Sequence, residues 1–263
     1  MTNRYAVLGS PITHSKSPAI HSAAFKFLGL ASEYSSFEVA DRLGQFLATQ
    51  PVEFVGYSVT MPLKEQALNL AERVDSIAIA SQAANTLIRT ESGWDAYNTD
   101  VFGIQMALST KKFKSVSVLG SGATARSAIV AMQELGKSVS VWGRNSAAIK
   151  QLTAEYEIDF EPLLHKAVRA DLVISTLPPH GLDEHIVTLS AKPNGLLLEV
   201  AYDPWPSNAA KLWGLDNTVS GLEMLIWQAV GQQRLFAGND LSEPLSEEKE
   251  LVLAIRSALD MAK

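Results

Sequence analysis

Val118-Leu119-Gly120-Ser121-Gly122-Ala123-Thr124-Ala125 decides the fold. The stretch leaves an apolar, β-branched run, Ser115–Leu119, and opens a helix-compatible segment, Ala123–Leu135, that stops at Gly136. Strand, G-x-G-x-x-A turn and helix in that order form a phosphate cradle. The first glycine permits the tight turn. The second leaves no Cβ where a pyrophosphate would approach, and Ala125 lets the helix sit close to the sheet. The helix N-terminus then offers unpaired N–H groups and the positive end of its dipole to an anion. Without a ligand the same residues would still make a strand-to-helix turn.

The end of the next strand, Ser138–Trp142, separates the two nicotinamide cofactors. NAD sites place Asp or Glu about 20 residues on, to accept from the ribose hydroxyls. Gly143-Arg144-Asn145-Ser146 holds no carboxylate, and the Arg144 guanidinium suits a 2′-phosphate that an acid would repel. Lys150 adds a second cation one helical turn later. NADP is the expected cofactor, and an ordinary surface arginine is the plain alternative.

Outward from this turn, short apolar runs alternate with helix-compatible stretches. Strands are expected at Tyr5–Leu8, Tyr34–Val39 and Phe54–Val59, with helices at Ala19–Leu28 and Arg42–Thr49. Thr86–Arg89 and Trp94–Tyr97 read as a hairpin around Ser92-Gly93. A second series starts near residue 101 and adds strands at Asp171–Ser175 and Leu196–Val200. Two long helices follow, Glu223–Phe236 and Ser246–Met261, the latter with Ser246 as its cap. The alternation implies an α/β fold with largely parallel sheets.

Composition narrows the function. In 263 residues, 22 basic against 28 acidic side chains leave −6, with no basic excess for nucleic acid. The absence of cysteine removes disulfides, thiolate metal sites and a thiol nucleophile, and no metal centre is expected. No apolar run reaches the roughly 18 residues of a membrane helix, and the first residues lack a signal-peptide pattern. A cytoplasmic, soluble protein is expected.

Three polar stretches sit at expected strand ends in the first hundred residues. Gly9-Ser10-Pro11-Ile12-Thr13-His14-Ser15-Lys16-Ser17-Pro18 places two serine hydroxyls beside a helix start, suited to a carboxylate or to simple capping. Ser58-Val59-Thr60-Met61-Pro62-Leu63-Lys64 delivers a lysine to the carboxyl end of a sheet, where open α/β folds bind ligands. Tyr97-Asn98-Thr99-Asp100 delivers a carboxylate that could equally cap a helix, and Asn85 stands at another element boundary, where a turn-forming role is the alternative. Lys64 and Asp100 suggest an acid–base pair: a ketone gaining hydride develops alkoxide charge, and an ammonium supplies both stabilisation and the proton. His14 and His21, with no acid partner in sequence, are expected to pack or cap.

In this order the stretches resemble the shikimate dehydrogenase family. Gly9–Phe25 is close to its opening signature, and Ser58–Lys64 is similar to its N-V-T-x-P-x-K. The Ala-Asn-Thr run at Asn85 and Asn98–Asp100 resemble its A-x-N-T and N-T-D. Glu199–Pro204 and Gly221–Gln228 resemble its D-x-x-Y-x-P and G-x-x-M-L-x-x-Q. The resemblance implies an NADP-dependent interconversion of 3-dehydroshikimate and shikimate. Ser15 and Ser17 would hold the substrate carboxylate, and Thr60, Asn85, Asp100 and Gln228 the ring hydroxyls. Lys64 would be the acid/base at the C3 oxygen, and Tyr202 would border the substrate. Gly120, Ser121, Gly122, Ala123, Thr124 and Ala125 would hold the pyrophosphate, and Gly143, Arg144 and Asn145 the adenosine ribose phosphate. Thr176, Ala201, Gly221 and Met224 would line the nicotinamide half.

The family architecture implies an N-terminal α/β substrate domain, residues 1–101, completed by a C-terminal helix at 240–263. A Rossmann-type NADP-binding domain, 102–239, would face it across a cleft. Ser22 and Ser58 stand where the family usually has Asn, Glu199 where it has Asp, and Gly143-Arg144-Asn145 where many members have Asn-Arg-Thr. The alternatives are an NAD-using quinate/shikimate dehydrogenase and a non-catalytic metabolite sensor.

Overall fold

The computed structural model describes residues 2–189 and 191–261, and the chain separates into two units: Met1–Gly103 with Ile226–Lys263, and Ile104–Leu225. The break after Gly103 falls two residues from the expected one. The return to the first unit comes at Ile226 rather than 240, because Gln228, Gln232 and Gln233 hydrogen-bond to Asn85, Thr86 and His21 of that unit. The last helix, Glu248–Met261, packs on the Ser17–Phe27 helix. It starts two residues later than expected, and Ser246 is not its cap: Glu247 takes a left-handed conformation (φ +55°) between the serine and the first helical turn.

The first unit carries six strands: β1 (Arg4–Gly9), β2 (Glu33–Glu38), β3 (Phe54–Val59), β4 (Arg73–Val74), β5 (Thr86–Arg89) and β6 (Trp94–Tyr97), ordered β2-β1-β3-β5-β6-β4. β1 pairs parallel with β2 and β3, while β5 runs antiparallel between β3 and β6. A four-residue connection closes the β5–β6 hairpin, with the Thr90 N–H donating to the Gly93 carbonyl at 2.9 Å. Its register aligns Ser58 with Thr86 and Thr86 with Tyr97. Reversing only β5 brings the carboxyl ends of β1, β3 and β6 and the amino end of β5 to one edge of the sheet. Leu8, Tyr57, Leu87 and Ala96 bury one face of it against Leu43, Leu47, Leu63 and Ala67 of the segments that cross over it.

The second unit holds β7 (Ser115–Leu119), β8 (Ser138–Trp142), β9 (Asp159–Phe160), β10 (Leu172–Ser175), β11 (Leu196–Glu199) and β12 (Thr218–Ser220). All pair in parallel, in the order β12-β11-β10-β7-β8-β9. This is the doubly wound Rossmann order, whose direction reverses between β7 and β10. Parallel strands with helices on both faces must be apolar throughout, and Leu172, Val173 and Ile174 are fully buried. The Ala123–Glu134 helix ends as its sequence indicates. Gly136 (φ +65°) donates to the Gln133 carbonyl and Lys137 to the Met132 carbonyl, a Schellman pair that satisfies the terminal carbonyls.

Candidate active site

In the first unit the chain's own hydrogen bonds deliver the polar residues to that edge of the sheet. β3 ends at Val59, whose N–H donates to the Asn85 carbonyl at 2.7 Å, and the Asn85 N–H donates to the Tyr97 carbonyl at 3.0 Å. After the Thr60–Leu63 turn, Lys64 opens a helix, and its carbonyl accepts from the Ala84 N–H at 3.0 Å. Asp100 opens the helix after β6 and donates its N–H to Asn98 Oδ1 at 2.9 Å.

Lys64 Nζ donates to Asp100 Oδ2, the two side chains being 12% and 6% exposed. Asp100 therefore spends its carboxylate on the lysine rather than on a cap. Its Oδ1 accepts from Asn85 Nδ2 at 2.8 Å. The same nitrogen lies 3.0 Å from Thr99 Oγ1 and 3.3 Å from Gln228 Oε1, so two protons serve three acceptors and the Gln228 contact is the longest. Lys64, Asn85, Asp100 and Gln228 thus form one cluster. An ammonium, a carboxylate and two amides at a strand edge can orient a polyhydroxy ligand and exchange a proton with it.

Ser15 and Ser17 lie at the start of the Ser17–Phe27 helix. Neither caps it, since the N-cap position is Lys16 without a side-chain bond; instead Ser15 Oγ accepts the Ser17 N–H at 3.3 Å. Pro18 has no N–H to donate, so in the first turn the Ala19 N–H is the one that no side chain claims. Thr60 closes the β3 turn beside Gly9, where a Cβ would stand 2.3 Å from Thr60 Cγ2, so only glycine admits the threonine there.

His21, on the same helix, is fully buried and stacks on Tyr34 at 4.3 Å between ring centroids. Burial pushes its pKa down to about 3, against the opposing hydrogen bond to Gln232. A histidine that stays neutral when folded but charges near pH 6.5 when unfolded makes the unfolded chain bind the extra proton. Stability is then lost as pH falls from about 6.5 toward 3. Asp75 in the same unit is pushed up to about 6 by burial and acts in the opposite sense. Comparison with His21→Phe isolates the histidine. Between pH 7 and pH 5 the native protein should lose about 2 kcal/mol more than the variant, as read by urea unfolding at each pH. Parallel losses would refute a buried neutral imidazole.

In the second unit every residue expected to touch the cofactor follows the carboxyl end of a strand, apart from Met224, one turn into its helix: Gly120–Ala125 after β7, Gly143–Asn145 after β8, Thr176 after β10, Ala201 after β11 and Gly221 after β12. Gly120 has φ +126°, and a Cβ on it would stand 2.3 Å from Thr176 Oγ1. The Thr176 hydroxyl donates to the Leu119 carbonyl at 2.9 Å, which closes β10 onto the turn. Gly122 precedes the Ala123–Glu134 helix with no side-chain cap, and nothing lies within 4 Å of where its Cβ would be. Unclaimed helix N–H groups beside open space fit a pyrophosphate.

Arg144 is exposed and forms no ion pair among the described residues, and neither turn nor helix start carries an acid. Asn145 caps the Ser146–Tyr156 helix by accepting from the Ala148 N–H at 3.1 Å, which leaves its Nδ2 as the group available to a ligand. Met224 is buried, and Ala201 and Tyr202 are half-buried on the loop after β11. Glu199 anchors that loop. Burial pushes its carboxyl up to about 7, against hydrogen bonds from Ser175, Ser207 and the Ala201 N–H.

Residues 7–87 match the family model described as the shikimate dehydrogenase substrate binding domain. Over 248 residues the chain is 32% identical to the shikimate dehydrogenase (NADP(+)) of Ignicoccus hospitalis, covering 89% of this chain and 93% of that one. The chain belongs to the shikimate dehydrogenase family. Its fold superposes on the Mycobacterium tuberculosis shikimate dehydrogenase with a TM-score of 0.85 at 36% identity, covering 97% and 99% of the two chains. The Thermus thermophilus enzyme, solved with NADP(H) and shikimate, matches with a TM-score of 0.82 at 31% identity over 98% of this chain and all of that one.

Of the shikimate dehydrogenase motif residues, Lys64, Asn85, Asp100 and Gln228 meet directly, and Ser15 meets Ser17. Tyr202 belongs to the second unit. Sequence reasoning missed a layer behind the cluster: Thr86, Thr99 and Gln232 all bond to Asn85. Only the unusual density of Gln in Gln228-Ala-Val-Gly-Gln232-Gln233, on a helix otherwise apolar between Glu223 and Arg234, signalled it.

Proposed function

We propose that this chain catalyses the NADP-dependent interconversion of 3-dehydroshikimate and shikimate. The buried Lys64–Asp100 pair, with Asn85 and Gln228 on the same sheet edge, is the observation that carries this reading. Bound NADPH supplies the hydride that reduces the ketone carbon. Lys64 donates a proton to the oxygen as charge develops on it, and in the reverse direction takes that proton back. Asp100 holds the ammonium in place and, with Thr60, Asn85 and Gln228, accepts or donates hydrogen bonds to the ring hydroxyls.

Ser15 and Ser17 hold the carboxylate with neutral donors, and Tyr202 borders the ligand. Gly120–Ala125 carry the pyrophosphate, and Gly143, Arg144 and Asn145 the 2′-phosphate. Thr176, Ala201, Gly221 and Met224 contact the nicotinamide half. The protein works in the cytoplasm as a monomer or homodimer.

Purified protein should reduce NADP with shikimate, and should do so faster than with quinate or with NAD. Two serines at the carboxylate end leave little room for the extra C1 hydroxyl of quinate. Absence of NADP reduction with shikimate would overturn the reading, and binding without turnover would turn it into a sensor. Arg144→Ala should raise the KM for NADP by about 10- to 100-fold, the value of a lost charge-assisted bond, with the KM for NAD unchanged. Equal loss for both cofactors would remove the guanidinium from phosphate recognition.

A further inference from the structure

Behind the acid–base pair runs a set of hydrogen bonds that the chemistry above does not use. Gln232, on the Gly221–Phe236 helix, is 1% exposed. Its Nε2 donates to the Asn85 carbonyl at 3.1 Å and to Thr86 Oγ1 at 2.9 Å. Its Oε1 accepts from Ser58 Oγ at 2.8 Å and lies 3.0 Å from His21 Nε2. Ser58 in turn accepts from the Tyr34 hydroxyl at 2.6 Å. The histidine tautomer follows from its other side: Gln233 Nε2, a donor, stands 2.8 Å from Nδ1, so the proton is on Nε2 and points at Gln232. Two donors and two lone pairs of the Gln232 amide are thereby all engaged.

The consequence for Asn85 follows from counting protons. Thr86 has one hydroxyl proton. With a Gln232 N–H on its oxygen, that proton goes to Asn85 Oδ1 at 2.8 Å, joining the Thr99 N–H, also at 2.8 Å. The Asn85 oxygen is committed to this side, and its nitrogen is the group that meets Asp100 Oδ1 and Gln228 Oε1. A reversed amide would set N–H against N–H and lone pairs against a carboxylate. Ser58, where the family usually has Asn, keeps the arrangement intact because a hydroxyl can accept from Tyr34 and donate to Gln232 at once.

We propose that Gln232 is a positioning residue for the reaction: through Thr86 and the Asn85 carbonyl it fixes the Asn85 amide so that it donates to Asp100 and Gln228, while His21, Ser58 and Tyr34 hold Gln232 itself. The inference rests on the reading of Lys64 and Asp100 as the acid–base pair. Asn85 held in this way fixes the Asp100 carboxylate that meets the Lys64 ammonium, so a loosened Asn85 misplaces the proton donor.

Four proteins test this: native, Gln232→Met, Thr86→Val and Gln233→Met. Each is measured for kcat and KM with shikimate and NADP, and for its thermal midpoint. Gln232→Met and Thr86→Val should each lower kcat by about 10-fold and leave the KM for NADP unchanged. Gln233→Met loses only the bond to His21, so it should lower the thermal midpoint while keeping kcat. Thr86→Val removes the hydroxyl without touching the helix, and it decides the matter should Gln232→Met fail to fold. An unchanged kcat in the folded Gln232→Met and Thr86→Val variants, or an equal kcat loss in Gln233→Met, overturns the proposal. Inactivity of the native protein with shikimate and NADP overturns the proposed function, and this inference with it.

Discussion

Turnover of shikimate falls by about 10³-fold in Lys64→Ala, within the range for loss of a positioned general acid, while shikimate affinity changes by less than about 10-fold. The amine is the cation that Asp100 meets inside the cluster, and both side chains are nearly inaccessible to water. A water molecule replacing it would carry no charge to stabilise an alkoxide. Deleting it also strands a buried carboxylate, which costs about 3–5 kcal/mol where a buried pair is broken, so the thermal midpoint should drop as well. Lys64→Ala,Asp100→Ala removes both charges and should recover part of that stability without recovering turnover. Absorbance at the nicotinamide band gives kcat, and calorimetric titration of shikimate gives affinity. Unchanged turnover in the single variant would remove Lys64 from the chemistry.

Gly221→Ala should be the most damaging single-methyl addition in the second unit. A Cβ at this position would stand 2.0 Å from the Val200 oxygen, 2.5 Å from its carbonyl carbon and 2.7 Å from the Glu199 oxygen. All three are main-chain atoms of β11 and the residue after it, and no side-chain rotation relieves the clash. The strand end must shift, which costs about 3 kcal/mol by analogy with overpacked cores and lowers the midpoint by about 10 °C. Ala201 and Tyr202 follow directly on the displaced carbonyl, so turnover should fall together with stability. Differential scanning calorimetry with the steady-state assay reads both. An unchanged midpoint would mean that the close approach of Val200 to Gly221 is not a feature of the folded protein.

Much of this architecture was legible locally. Val118–Ala125 marked a strand-to-helix turn because a strand, two glycines and a helix start are contiguous, and Gly136 marked a helix end because a left-handed cap needs no distant partner. Lys64 and Asp100 stood out because each follows an apolar strand, and strand ends are where open sheets present side chains. Two-residue strands such as β4 and β9 escaped, being too short to show a period. The Ser246 cap failed because Glu247 adopts positive φ, a backbone state that composition does not announce.

The sequence by itself determined that this is an α/β chain of two strand series, one with a glycine-rich strand-to-helix turn and no acid after the next strand, the other with polar groups at its strand ends. Local periodicity encodes which face of an element is buried, and small residues at turns encode where the backbone must bend. Tertiary structure alone decided which partners those faces and ends would meet. Gln232 is 147 residues from the Asn85 carbonyl it holds and 211 from His21, and β5 enters its sheet reversed. Such pairings depend on how the whole chain closes, since a side-chain amide carries the same donors and acceptors wherever it lies and only the fold selects the atoms facing it.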